Sequence, residues 1–308
     1  MTPPPWQAER VVAPAEARAL IEDQFPEFRP AQVRNFAQES WDNTTYLVNG
    51  SHVFRFPRRE FAANLVDTEA KILPGVAKSV SLAVPDPRWV GRPTETYSWI
   101  FAGYSILPGQ TACSASLHHD QRHSLAAPLG RFLRELHSIP LPIAEGWGAR
   151  PDGIRRLDVG YRNPGTIKRL QDMEEKGLIG NAASYVAVLE ERENLQTNGP
   201  IVLLHGDLYS RHLLLVNDAG PTVSGVIDWG DVHLGHPAVD LSIAHLFLPP
   251  ESHQCFRSAY GSIDEDTWEL ARIRSIWHSC AVAPFAVEQG DSDLSREAFF
   301  ALRNALPN

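Results

Sequence analysis

The sequence predicts an α+β chain of two lobes, a small strand-rich one over residues 1–105 and a larger helical one over residues 106–308. Three observations predict it. The 308 residues are about two common domains of roughly 150 residues. The first hundred residues carry strand-like alternation, and beyond Pro108-Gly109 apolar residues recur at helical spacing.

In chain order, 41–48 and 52–56 read as two strands joined by a tight turn, because Asn49-Gly50 suits the positive φ angles of a hairpin. Residues 62–73 read as a helix with Leu65 and Ile72 on one face. Pro85, Pro87 and Pro93 mark a loop before a strand over 97–106, and Pro108-Gly109 breaks the chain. Leu125, Leu129, Phe132, Leu133 and Leu136 then fall on one helix face. Residues 146–163, rich in Gly, Pro and Arg, read as loop, and helices are expected over 166–176, 184–195, 239–248 and 266–280. Apolar runs at 201–204, 212–216 and 223–227, separated by polar breaks, form a small hairpin inserted in this helical half.

Composition narrows the chemistry. With 28 Lys+Arg against 37 Asp+Glu the formal net charge is −9, which argues against nucleic acid as the main partner and suits a cationic ligand. Only Lys71, Lys78, Lys168 and Lys176 are lysines and none follows a glycine, so a Walker phosphate loop is excluded. Cys113, Cys255 and Cys280 are far apart and in no CxxC pair, so they read as reduced thiols. The first residues lack the pattern of a secretory signal and no apolar run reaches membrane-span length, so a cytoplasmic protein without a membrane partner is expected.

The hairpin bears the chemistry. His205-Gly206-Asp207-Leu208-Tyr209-Ser210-Arg211-His212 precedes its first strand, and its second runs into Ile227-Asp228-Trp229-Gly230-Asp231. Two carboxylates, Asp207 and Asp228, thereby meet at strand ends with His212 beside them. Phosphoryl transfer needs such a set: one carboxylate for the proton of the attacking hydroxyl, and ligands for the Mg²⁺ that neutralises phosphate charge. Either Asp alone would be read as a turn former.

Residues 205–240 resemble the catalytic core of the aminoglycoside phosphotransferase family, small-molecule kinases with a protein-kinase-like fold. The resemblance implies Asp207 as catalytic base and His212 and Asp228 as metal ligands. It also makes His205 part of the brace, together with Asp240 in the segment Gly235-His236-Pro237-Ala238-Val239-Asp240. Asn is usual in the family at the place of His212, and Mg²⁺ prefers oxygen donors. His at this place is similar to the 2″-aminoglycoside and the macrolide phosphotransferases.

The first half adds to it. In the alternating run 52–56, Arg55 points away from the side of Phe54 and Phe56, and Glu69 falls on the apolar face of its helix, where a carboxylate needs a partner. The pair resembles the kinase strand cation and helix Glu that steady nucleotide phosphates, with Arg where Lys is commoner. Ser40, Asn43 and Thr44 occupy the place of the kinase glycine-rich loop, in a segment without glycine. Tyr104, Ser105 and Leu107 resemble the purine-binding hinge. A tyrosine there is similar to 2″-phosphotransferases that favour GTP. Trp229 reads as packing, and the remaining histidines, His278 among them, show no ligand pattern.

Together these readings predict an O-phosphotransferase that moves the γ-phosphoryl group of ATP or GTP, with Mg²⁺, to a hydroxyl of a small molecule. The short stretch from Asp231 to Asp240 leaves no room for the segment on which protein kinases dock protein substrates. Tyr209, Asp231, Glu265, Asp266 and Glu269 are candidate acceptor contacts, the acidic ones suiting a cationic aminoglycoside and hence antibiotic resistance. A macrolide or a metabolite such as homoserine, choline or a sugar is the alternative acceptor. A non-catalytic nucleotide-binding module and a metal-dependent hydrolase are the readings from other classes. A monomer or weak dimer is expected.

Overall fold

A computed structural model describes residues 8–36, 42–191, 195 and 199–306. The chain forms two compact units. One holds the described residues up to Lys78 with Ala83–Leu107 and Trp229–Asp231; the other holds Ser79–Leu82, Pro108–Asp228 and Val232 onward.

The first unit is built on a five-stranded antiparallel sheet. Helix α1 (Pro14–Gln24) leads into β1 (Val33–Asn35), β2 (Asn43–Val48), β3 (His52–Pro57), helix α2 (Glu60–Val76), β4 (Trp89–Gly91) and β5 (Phe101–Ser105), in the sheet order β1-β2-β3-β5-β4. Asn49 and Gly50, at φ 50° and 72°, make the expected turn between β2 and β3. Alternation then divides β3. Phe54 and Phe56 join Tyr46, Tyr97 and Phe101 in an aromatic core closed by Ala17, Leu20 and Ile21 of α1. Arg55 faces the other way, towards α2, whose Ala62, Val66, Ile72 and Leu73 are buried. Gly103 leaves room for a neighbour, since a Cβ there would lie 2.4 Å from the Phe54 ring. The strand expected over 97–106 begins only at Phe101, because Tyr97 turns inward to donate to the carbonyl of Pro57 at 2.9 Å.

The second unit is mostly helical. β6 (Gln110–Thr111) precedes α3 (His119–His137), α4 (Leu141–Trp147), α5 (Val159–Glu175) and α6 (Ala182–Glu191). β7 (Val202–Leu204), β8 (Leu213–Asn217), β9 (Pro221–Val226) and β10 (His233–Gly235) follow. Then come α7 (Ala238–Leu241), α8 (Ile243–Phe247), α9 (His253–Tyr260), α10 (Glu265–Glu288) and α11 (Ser292–Ala305). All five residues expected on one face of α3 are buried.

Several expectations are corrected. Only β8 and β9 form the hairpin, joined by β6 at its edge, whereas 201–204 contributes β7 to a separate pair with β10. The stretch read as loop to 163 is helical from Val159, where the Asp158 side chain accepts from the Tyr161 amide and starts α5 despite Pro164. The single helix expected over 239–248 is two short ones, α7 and α8. The cysteines are free thiols, and no described helix is long and apolar enough to cross a membrane.

Candidate active site

The chemistry converges on the loop between β7 and β8. Its frame is Asp240 of α7, whose carboxylate is fully buried. One oxygen accepts from the His205 amide at 2.7 Å and lies 3.3 Å from His137 Nε2, and the other accepts from the Gly206 amide at 2.9 Å. Burial alone would raise its pKa, yet the hydrogen bonds, foremost that with His137, hold it below the usual carboxylate range. Gly206 sits at φ 88°, a backbone shape that costs glycine little. His205 ties the loop to the end of β9: its Nε2 donates to the Ile227 carbonyl at 3.0 Å and its Nδ1 accepts from the Asp207 amide at 3.3 Å. Burial, then the charge of His212, lowers its pKa and keeps the ring neutral.

That clamp brings Asp207, His212 and Asp228 together. His212 Nδ1 donates to the Asp207 carbonyl at 2.7 Å, which turns Nε2 towards Asp228 Oδ2 at 3.3 Å. Asp207 Oδ2 lies 3.8 Å from the same ring. Burial opposes a charge on His212, but the hydrogen bond and charge of Asp228, with that of Asp207, outweigh it and push the pKa up to about 9. Asp228 is one of four described non-glycine residues at positive φ, 64°, a conformation that Asp tolerates better than most and that turns its half-exposed side chain back to the ring.

The donor set bears on a metal ion. Among the described residues no three His, Cys, Asp or Glu side chains are grouped to hold one unaided. Mg²⁺ takes one or two protein groups and completes its shell with phosphate oxygens and water. The Asp228 carboxylate supplies a hard oxygen beside His212 Nε2, so the residues fit a nucleotide-borne Mg²⁺ with Asp228 as the principal donor.

The first unit carries the other predicted residues. Arg55 Nη1 donates to Glu69 Oε2 at 2.7 Å with both side chains largely buried. Asn43 and Thr44 begin β2, opposite Pro57 and Phe56. Tyr104 and Ser105 end β5, opposite Val53 and His52, and Leu107 closes the unit. Ser40 lies outside the described residues. Trp229 is fully buried, and Asp231 is exposed in the same unit.

The acceptor contacts divide. Tyr209 adjoins the cluster, its ring 4.4 Å from that of His212. Glu265, Asp266 and Glu269 do not. They occupy the first two turns of α10, Glu265 bonded to Arg257 at 2.6 Å and Glu269 to Arg272 at 2.5 Å. It is His278, further along α10, whose ring lies 4.7 Å from Tyr209. At 1.5 Å per residue Glu269 is about 14 Å, and Asp266 about 18 Å, short of it along the axis. Reading by residue type passed over His278 and Arg274, which is half-buried one turn earlier. Their i, i+4 spacing in a predicted helix was the available signal.

The model of a family described as phosphotransferase enzymes matches residues 33–274. No curated protein matches. Among solved structures, the GDP complex of wild-type aminoglycoside 2′-phosphotransferase-IIIa is similar, at 22% identity over 95% of this chain and 98% of that one, with a TM-score of 0.68. Macrolide 2′-phosphotransferase MphH from Brachybacterium faecium is also 22% identical, over 88% of this chain and 91% of its own, at TM-score 0.56. The gentamicin complex of APH(2″)-IIa has 18% identity over 96% and 97%, at 0.59. These likenesses establish a shared fold.

Proposed function

Since the chain belongs to the phosphotransferase enzyme family and is a small-molecule kinase, we propose that Asp207 is its catalytic base and that Asp228 and His212 hold the metal ion of a bound nucleotide. The observation that carries this reading is the single imidazole of His212, held between the Asp207 carbonyl and the Asp228 carboxylate on a loop clamped by Asp240.

Asp207 orients an acceptor hydroxyl and takes its proton as the oxygen bonds to the γ-phosphorus and the bond from that phosphorus to the β,γ-bridging oxygen breaks, releasing the nucleoside diphosphate. Its carboxylate is one-third exposed, open enough to meet a ligand, and its backbone is fixed by two histidines. His205 positions the loop and takes no part in proton transfer, because both of its nitrogens are engaged. Mg²⁺, when bound, neutralises phosphate charge and aligns the γ-phosphate. In the strand-rich unit, Arg55 is the phosphate-steadying cation, oriented by Glu69, with Asn43 and Thr44 towards the phosphates. Tyr104, Ser105 and Leu107 face the purine, from ATP or GTP. The acceptor is a small hydroxylated molecule. The structural relatives named above act on aminoglycosides and macrolides, and both classes belong in the acceptor screen.

Asp207→Asn is expected to lower phosphate transfer from labelled ATP or GTP by about 10²- to 10⁴-fold while nucleotide binding stays within twofold. Unchanged transfer overturns the assignment of the base. Loss of nucleotide binding instead would mean that the substitution damages the fold.

A further inference from the structure

The face of α10 nearest the catalytic loop carries Arg274 and His278. His278 meets Tyr209, which meets His212, so this face runs beside the loop that carries Asp207. Arg274 lies one turn before His278, on the same side of the helix. Among the described residues no carboxylate forms an ion pair with its guanidinium and no acceptor takes its hydrogens. The carboxylates that act on it are Asp207 and Asp240, and the charges that oppose it are Arg156 and Arg162.

The neighbouring charges are unequally engaged. Asp240 bonds two backbone amides and His137. Asp152 is paired with Arg156 at 2.7 Å, and Glu297 with Arg122 at 2.7 Å. Arg162 donates to the carbonyls of Arg155 and Ile154, and among the described residues no carboxylate forms an ion pair with it. His278, desolvated by burial and facing the charges of Arg274 and His212, is neutral. A polycation approaching Asp207 along α10 therefore meets the guanidinium charges of Arg274 and, from α5, Arg162, while Glu265, Asp266 and Glu269 lie at the start of α10 and Glu288 at its other end.

A part-exposed guanidinium that makes no ion pair is a fork for two oxygens of one oxyanion. Its placement on the Asp207 side assigns it to the acceptor and not to the metal-bound phosphates at Asp228. We infer that Arg274, seconded by the charge of Arg162, binds an anionic group of the acceptor, so that the acceptor is a small hydroxylated molecule carrying a carboxylate or a phosphate. The inference rests on Asp207 as the base.

The test uses the full-length protein and four probes: glycerate, glycerol 3-phosphate, glycerol and kanamycin. Each is assayed as acceptor with ATP and with GTP, and as a ligand by calorimetry with a non-hydrolysable nucleotide present. Wild type is expected to bind or phosphorylate one of the anionic probes at least tenfold better than glycerol and kanamycin, and which one it prefers separates carboxylate from phosphate. Arg274→Gln is expected to raise KM or Kd for that probe at least tenfold, leave glycerol within twofold, and retain kcat. Arg274→Lys should recover part of the loss. Preference for kanamycin, absence of binding by both anions, or an equal fall in kcat for every acceptor in Arg274→Gln overturns the inference. If Asp207→Asn abolishes transfer while Arg274→Gln leaves charge preference untouched, the inference fails and the catalytic reading stands. Transfer unaffected in Asp207→Asn fails the catalytic reading itself.

Discussion

Arg122 shows what a charge requires when it is placed in the interior. Its side chain is 3% exposed and forms a two-pronged pair with Glu297, at 2.9 and 2.7 Å, while donating also to the Phe247 carbonyl and lying 4.2 Å over the Phe300 ring. Such a pair is weak evidence of net stability against an apolar replacement, but breaking one half strands the other charge. Glu297→Ala should therefore lower unfolding free energy by about 3–5 kcal/mol in urea titration, and a loss under 1 kcal/mol would show that Arg122 finds water or another partner. Asp240 obeys the same rule with backbone amides for partners. Its conversion to Asn would leave an amide facing two N–H donors, loosening the loop that holds Asp207.

At the scale of elements, close approach decides what single residues are allowed. Helix α3 passes α9 at Gly130, where a Cβ would stand 2.5 Å from the Phe256 carbonyl, a backbone atom that cannot move aside cheaply. Gly130→Ala should destabilise by about 1–3 kcal/mol despite the better helix propensity of alanine. Thermal melting with unchanged helical circular dichroism checks this; a stabilised protein would refute it. Elements with strong periodicity were legible, as α3 shows with its five buried apolar positions and the β2–β3 turn with Asn49-Gly50. Helix α1 was not read, although Pro14 opens it and Ala17, Leu20 and Ile21 share one face. The partner of β7 was not. Leu203 and Leu204 carry no mark that selects β10 over the nearer β8, and long-range pairing is chosen by the surrounding packing.

Over the whole molecule the histidines set the response to acid. Burial, as the leading cause, lowers the pKa of His205, His236, His245, His253 and His278. Above their ordinary value of 6.5 both folded and unfolded forms are neutral, and these groups cost nothing. Below it the unfolded chain binds protons that the folded one refuses, so stability falls as pH drops. His212 runs the other way: its pKa of about 9 gives a contribution complete below 6.5 and lost as pH rises through 9. Urea midpoints are thus expected to fall as pH is lowered from 6.5 to 5, and to fall again as it is raised through 9. A midpoint flat across the acidic range would mean that the histidines are open to water.

The sequence by itself determined the α+β class, the helical patterns and the order in which His205, Asp207, His212, Asp228 and Asp240 occur, because spacing and residue type are local properties. It also made Arg55 and Glu69 readable as partners, since strand alternation and helix periodicity each turn one charge towards a buried face. Only the tertiary structure decided which nitrogen of His212 faces Asp228, that the acidic start of α10 lies far along the helix from Tyr209, and that Arg274, near the catalytic loop, has no carboxylate paired with it among the described residues. Those are relations between residues tens of positions apart, created when α10 packs against that loop, and no local pattern encodes them.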